Sequence, residues 1–303
     1  MNRRTALLAS IIVAICGLNP GVSPGRARSG PDRLFGERDE IKQSYELAPG
    51  ARVSVTSISG PVEIETSQGS MAEVHVIRSA RNQADLQYHR VIIEQSGGSL
   101  TVRGEQERGA GRGVQVNQHV MLKLPVNVNL SVNSISGHAV IGDIGGQAHI
   151  NSISGPVTLG DVSGEAIVSS VSGRLSIGRA GGQVQVKSIS GSVDVGQALG
   201  RFEASSISGS VRATIAQISS SGITIDSISG GVTLRLAAGV NAEIHAIHYS
   251  GEVYVNVPNV VIQGKMTSSE VKGLIGSGGP TISISNISGN ILLQRAEMGC
   301  QSR

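Results

Sequence analysis

The chain has 303 residues, long enough for a sizeable core, yet Trp is absent and aromatics make up 2%, so aliphatic side chains must supply the buried area. Its formal net charge of +3 sits at one end: setting aside Arg3, Arg4, Arg26 and Arg28 leaves 25 − 4 = 21 basic residues against 22 acidic ones. A near-neutral body without stacking aromatics excludes the concentrated basic face that nucleic-acid binding requires.

In chain order, Arg3 and Arg4 precede an apolar run from Ala6 to Leu18, broken only by Ser10 and Gly17. A run of this length is short for a membrane span and fits an export signal, so residues 1–24 read as a signal peptide or a retained N-terminal anchor. Removal of the signal would take Cys16 with it and leave Cys300 without an intramolecular disulfide partner. Residues 25–43 are polar and rich in Gly, Pro and Arg, the composition of a linker. Alternating stretches such as Val53-Ser-Val55, Val62-Glu-Ile64 and Val74-His-Val76 follow. They predict half-buried strands in an N-terminal β capping region over 44–103. Residues 104–113 have the composition of a flexible loop. A β-solenoid is expected over 114–295, with irregular coils from Val253 to Gly279, and a tail over 296–303.

The strongest pattern begins at Ser134. Ser-Ile-Ser-Gly starts at Ser134, Ser152, Ser188 and Ser206, with Ser-Val-Ser-Gly at Ser170, so the interval is 18 residues four times running. Copies recur at Ser227, at His248 and at Asn286, and an early one lies at Ser57. A fixed period marks stacked units, none of which buries its apolar side without a neighbour. The expected architecture is all-β: a single-stranded parallel β-solenoid of about 18 residues per coil, right-handed by the general preference of parallel crossovers.

Aligning the coils gives apolar columns at Ala139, Val157, Leu175, Val193 and Val211, and at Ile141, Leu159, Ile177, Val195 and Ala213. Two more run through Ala148, Ala166, Val184 and Phe202, and through Ile150, Val168, Val186 and Ala204. Residues between these columns vary freely, as an inward/outward pleat predicts. The motif's own apolar column, Ile135, Ile153, Val171, Ile189, Ile207 and Ile228, is also assigned to the core, so that Ile189→Asp is expected to abolish cooperative folding. Gly137, Gly155, Gly173, Gly191, Gly209 and Gly230 mark one corner and Gly142, Gly160, Gly178 and Gly196 another, where a missing Cβ permits φ > 0.

The serines flanking each Ile admit two readings, a binding row for sugar or ice and a structural role at corners. Corner bonding to nearby backbone is the commoner use of such hydroxyls, and the regular Thr columns of an ice-binding face are missing. His245-Ala-Ile-His248 places its imidazoles on opposite faces of a strand, which disfavours a shared metal. Gly142-Asp143 and Gly160-Asp161 read as turns, because the aspartate column stops at Arg179 and Gln197. Gly109 to Gly113 lacks the Lys-Ser/Thr of a phosphate loop. Tyr249 and Tyr254 are the candidate sugar platforms. No catalytic, cofactor or metal residue is assigned.

Leu122-Lys-Leu-Pro125, then Val128-Asn-Leu-Ser-Val132, then Ser-Ile-Ser-Gly with an apolar-x-apolar strand after each copy, resembles the bacterial putative-adhesin family, also called toastrack domains. The late copy Asn286-Ile-Ser-Gly-Asn-Ile-Leu-Leu293 fits the same pattern. The resemblance spans roughly 44–294. It implies a β-solenoid, export or membrane association, and adhesion, and it brings no catalytic residues. The expected function is an exported, non-enzymatic adhesin or binding scaffold in the periplasm, at the cell envelope or outside the cell. Its partner would be an envelope protein or surface glycan, with a membrane tether through the N-terminal segment as an option. An envelope-stress sensor domain and a carbohydrate-active β-helix enzyme are the alternatives.

Overall fold

In the computed structural model, which describes residues 36–106, 116–262 and 270–296, the alternating segments form two sheets of 12 and 13 strands. The signal or anchor at 1–24, residues 25–35 of the expected linker, residues 107–113 of the expected loop and the tail beyond Ala296 lie outside the described residues. Each coil gives one strand to each sheet, and the inward faces of both sheets share one aliphatic core. Pairing follows the 18-residue period: Ala148 faces Ala166, Ile150 faces Val168, and Val157 faces Leu175. Because the offset repeats, like residues stack on like, and the four paired columns named above are buried throughout.

Nine coils that carry the motif stack in the following spatial order among the described residues. Coil 1 comprises Arg52–Ser57 and Val62–Ser67; coil 2, Asn129–Ser136 and Ala139–Ile141; coil 3, Ala148–Ser154 and Val157–Leu159. Coil 4 is Ala166–Ser172 with Leu175–Ala180, coil 5 Val184–Ser190 with Val193–Ala198, and coil 6 Phe202–Ser208 with Val211–Ile215. Coil 7 is Ile223–Ser229 with Val232–Leu236, coil 8 Thr281–Ser288 with Ile291–Arg295, and coil 9 Ala242–Ser250 with Val253–Asn256.

The core assignment of the motif's apolar column is overturned. Ile135, Ile153, Val171, Ile189, Ile207 and Ile228 are 43–51% exposed, whereas Ser134, Ser152, Ser170, Ser188, Ser206 and Ser227 are 3–5% exposed. The pleat supplies the reason. In coil 3, Ala148 and Ile150 point inward, and the next inward position in a period of two is Ser152, which leaves Ile153 outside. Side-chain direction in a strand is set by backbone geometry, so an Ile out of phase with its own strand cannot turn inward to satisfy its hydrophobicity.

The two glycine corners differ as well. After each Ser-Ile-Ser the chain turns at a glycine with φ between +116° and +139° at Gly137, Gly155, Gly173, Gly191, Gly209 and Gly230. A Cβ there would lie 2.0–2.2 Å from the carbonyl oxygen of the glycine one coil below, so both the conformation and the space exclude a side chain. Gly142, Gly160, Gly178 and Gly196 are not in the positive-φ region. At Gly160 and Gly178 the constraint is proximity alone, a Cβ falling 2.4 and 2.6 Å from the carboxylates of Asp143 and Asp161. Those carboxylates tie the turn together: Asp143 accepts from the Asp161 N–H and Asp161 from the Arg179 N–H, both at 2.8 Å.

The ends depart most from a simple winding. The N-terminal region also supplies a coil of the stack: coil 1 pairs in parallel with coil 2 on one side and with Ser99–Gln106 and Val116–Pro125 on the other. Antiparallel strands then close this end. Met71–Ala80 and Glu37–Glu46 extend one sheet, and His89–Ser96 the other. Glu37–Glu46 begins inside the stretch expected to be a linker, and Ser99–Gln106 runs into the expected loop. A single helical turn, Gln83–Gln87, is capped by Asn82, whose Oδ1 accepts from the Asp85 N–H at 2.9 Å. At the other end, coil 8 comes last in sequence but is inserted between coils 7 and 9, parallel to both. Glu270–Ile275 then adds antiparallel to Ala242–Ser250 of coil 9, and Val260–Ile262 pairs antiparallel with Glu270–Ile275 beyond it. At the end closed by Glu37–Glu46 and His89–Ser96, the charges on these edge strands limit further strand addition.

Candidate functional site

The inverted phase of the motif creates the most distinctive surface of the molecule. The flanking serines pair in register, Ser152 with Ser170 and Ser154 with Ser172, so the residue between them lies directly over its counterpart. Ile58, Ile135, Ile153, Val171, Ile189, Ile207, Ile228, Ile287 and Tyr249 therefore form one outward ladder from coil 1 to coil 9, with rungs about 4.8 Å apart. Its terminal Tyr249 is 86% exposed. On one side lies an outward row of serines, including Ser154, Ser172, Ser190 and Ser208. On the other is the column of Asn133, Asn151, Ser169, Lys187, Ser205 and Asp226. A groove of about 870 Å³ runs between this column and the ladder.

Beneath the groove, the first serine of each motif is buried and its hydroxyl has no hydrogen-bond partner at Ser57, Ser134, Ser152, Ser170, Ser188, Ser206 or Ser227. These hydroxyls are structural by burial, but they do not make the corner bonds expected of them. In coil 8 the position is Asn286, whose Nδ2 donates to the carbonyls of Gly289 and Gly230 at 3.0 and 3.2 Å. In coil 9 it is His248, buried at 5% exposure. His245 points outward instead and meets Glu270 at 2.9 Å, so the two imidazoles do face opposite ways.

Charged groups gather in small outward clusters near the ends. Lys42 at 2.8 Å, and then His75, hold the Glu40 carboxyl below its usual range. Lys272 and then His245 do the same for Glu270. Glu63 lies 3.1 Å from His119 and 3.7 Å from His138. The Glu252 carboxylate accepts from the Tyr254 hydroxyl and pushes that phenol up, so Tyr254 is engaged locally. His89 is buried; desolvation, followed by the nearby Arg78 charge, pushes its imidazole down. Among the described residues no group of three or more His, Cys, Asp or Glu is placed to hold a metal.

A family model described as Toastrack DUF4097 matches residues 51–294. The chain belongs to this Toastrack family. Solved structures similar to this toastrack chain include a putative adhesin from Bacteroides fragilis, 12% identical, covering 84% of this chain and 97% of that one with a TM-score of 0.45. Another is a putative cell adhesion protein from Clostridium sporogenes, 11% identical, covering 86% and 100%, with a TM-score of 0.27. A third is a putative lipid binding protein from Parabacteroides distasonis, 12% identical, covering 85% and 95%, with a TM-score of 0.33. No curated protein matches the chain.

Sequence reasoning missed the ladder as a surface, although its residues had been singled out. The signal that finds it is the phase of the pleat: counting by twos from Ala148 exposes Ile153, and the same count exposes Val171 from Ala166 and Ile189 from Val184.

Proposed function

We propose that this toastrack chain is an exported, non-enzymatic binding scaffold of the cell envelope, and that the apolar ladder with its groove is the contact face. One observation carries the reading: half-exposed aliphatic side chains occupy the same outward position in successive coils, in register. A single exposed Ile needs no explanation, but a contiguous apolar strip about 38 Å long keeps a large surface in water until something covers it. Each rung offers a small, repeated contact, and many weak contacts on one rigid scaffold sum to useful avidity. Aliphatic rungs favour an apolar protein surface over a glycan, which would call for aromatic platforms. Export rests on the Arg3-Arg4 and Ala6–Leu18 pattern. No helix among the described residues is long and apolar enough to cross a membrane.

The test is binding of the purified full chain to isolated cell envelopes, comparing wild type with a variant carrying Ile153→Ser, Ile189→Ser and Ile228→Ser. The bound fraction should fall at least about tenfold, roughly the effect of losing 1.4 kcal/mol of contact, while the melting transition stays near that of wild type. Equal binding by the two proteins would remove the ladder from the contact face.

A further inference from the structure

We propose that the occupant of the ladder is a second copy of this chain, docked face to face with its coils in reverse order. The proposal rests on the ladder being a contact face and names the partner. Two flat sheets can meet around a twofold axis that lies between them and runs parallel to their strands. Such an axis keeps every outward column opposite itself and reverses the order of the coils, giving a self-complementary interface. Ile and Val rungs then meet Ile and Val rungs along their whole overlap.

Charge fixes where the axis falls. The column beside the ladder contains Lys187 in coil 5 and Asp226 in coil 7, both exposed, with uncharged Ser205 between them in coil 6. An axis along coil 6 sets Lys187 of each copy against Asp226 of the other, forming two ion pairs. An axis along coil 5 would set Lys187 against itself, and one along coil 7 would set Asp226 against itself. The coil 6 axis also pairs Val171 with Ile287 and Ile153 with the exposed ring of Tyr249, giving that tyrosine an apolar neighbour. Glu203 lies in coil 6 one outward position further from the ladder, where Arg201 accompanies it at 3.6 Å, so it belongs to the rim.

The size of the contact sets its strength. Coils 3 to 9 overlap, roughly 34 Å of stack by about 14 Å for the ladder and its two flanking columns, or on the order of 500 Å² per copy. A total near 1,000 Å² belongs to weak, transient pairings rather than obligate dimers. Weak pairing between copies is the affinity range in which contacts in an array act together.

Sedimentation equilibrium of the full chain tests this with Lys187→Asp, Asp226→Lys and their equimolar mixture. Wild type should show reversible dimers. Each single variant should associate at least about a hundredfold more weakly, because like charges then face each other twice. The mixture should regain dimers, since the two Asp residues at 187 and 226 of one variant face the two Lys residues of the other. Three outcomes would overturn the pairing: wild type remaining monomeric at roughly 1 mM, charge variants that dimerise as wild type does, or a mixture that fails to reassociate. Fluorescence of the apolar dye anilinonaphthalene sulfonate separates this failure from that of the contact face. A monomeric wild type whose dye binding falls clearly in the variant carrying Ile153→Ser, Ile189→Ser and Ile228→Ser removes the dimer and leaves the ladder as a binding surface. Dye binding equal in wild type and that triple variant removes the ladder itself.

Discussion

Replacing Ile189 by Asp, and separately Val186 by Asp, asks the same chemical question of two neighbouring positions in one strand. Val186 is 0% exposed and Ile189 is 48% exposed. Burying an aliphatic side chain of this size contributes about 1.5–3 kcal/mol, so Ile189, half in water already, contributes about 1 kcal/mol. Adding the poor strand propensity of Asp, up to about 1 kcal/mol, the Ile189→Asp change should cost about 1–2 kcal/mol. Val186→Asp forfeits the full transfer term and places a carboxyl in an aliphatic core, where an unpaired charge costs several kcal/mol more, a total of about 4 kcal/mol or above. Urea denaturation of the full chain, followed by far-ultraviolet circular dichroism, should show a small midpoint shift for the first and a large one, or no folded baseline, for the second. Comparable losses for the two variants would refute the outward phase of the ladder, and with it the contact face.

Four further outcomes are expected. Gly173→Ala should destabilise by about 3 kcal/mol or more, combining strain at φ +135° with a Cβ placed 2.2 Å from the Gly155 carbonyl oxygen; the same denaturation assay checks it, and a neutral result would deny the close corner. Ser188→Ala should be neutral or stabilising by up to about 1 kcal/mol, because it deletes a buried hydroxyl that has no hydrogen-bond partner; a clear loss of stability would reveal a bond at that hydroxyl. Stability should fall on mild acidification as the unfolded chain takes up a proton that buried His89 resists, the effect growing as pH drops from the ordinary histidine range toward the lowered folded value. His89→Gln should flatten that part of the pH–melting-temperature curve, with Glu40 and Glu270 adding further loss at lower pH as they protonate. Ending the chain after Gly279 should expose the facing edges of coils 7 and 9, which coil 8 separates, and limited proteolysis should then cut coil 9 rapidly; a truncated chain as resistant as the full one would contradict the insertion.

Much of the solenoid was legible because its information is local and repeated. A period of 18 with apolar residues two apart says that strands stack in register and that Ala148, Ile150, Val157 and Leu159 share an interior. The motif misleads because hydrophobicity and phase disagree in it: Ile153 is the most apolar residue of its motif, but Ser152 is the one in step with Ile150. The strand Glu37–Glu46 was illegible for another reason. Its inner face is only half-buried against Met71–Ala80, so its sequence lacks the apolar alternation that marks the others.

By itself the sequence determined the coil: its length, its glycine corners, its alternation, and membership in a stacked β architecture. These follow from steric rules that act within a coil and between identical neighbours. Only the tertiary structure decided the order of coils at the two ends. Coil 1 lies between strands that come after it in sequence, and coil 8 sits between coils 7 and 9. An in-register parallel ladder accepts any coil of matching length and pattern, so local sequence leaves that order open, and the turns and closing strands at each end settle it.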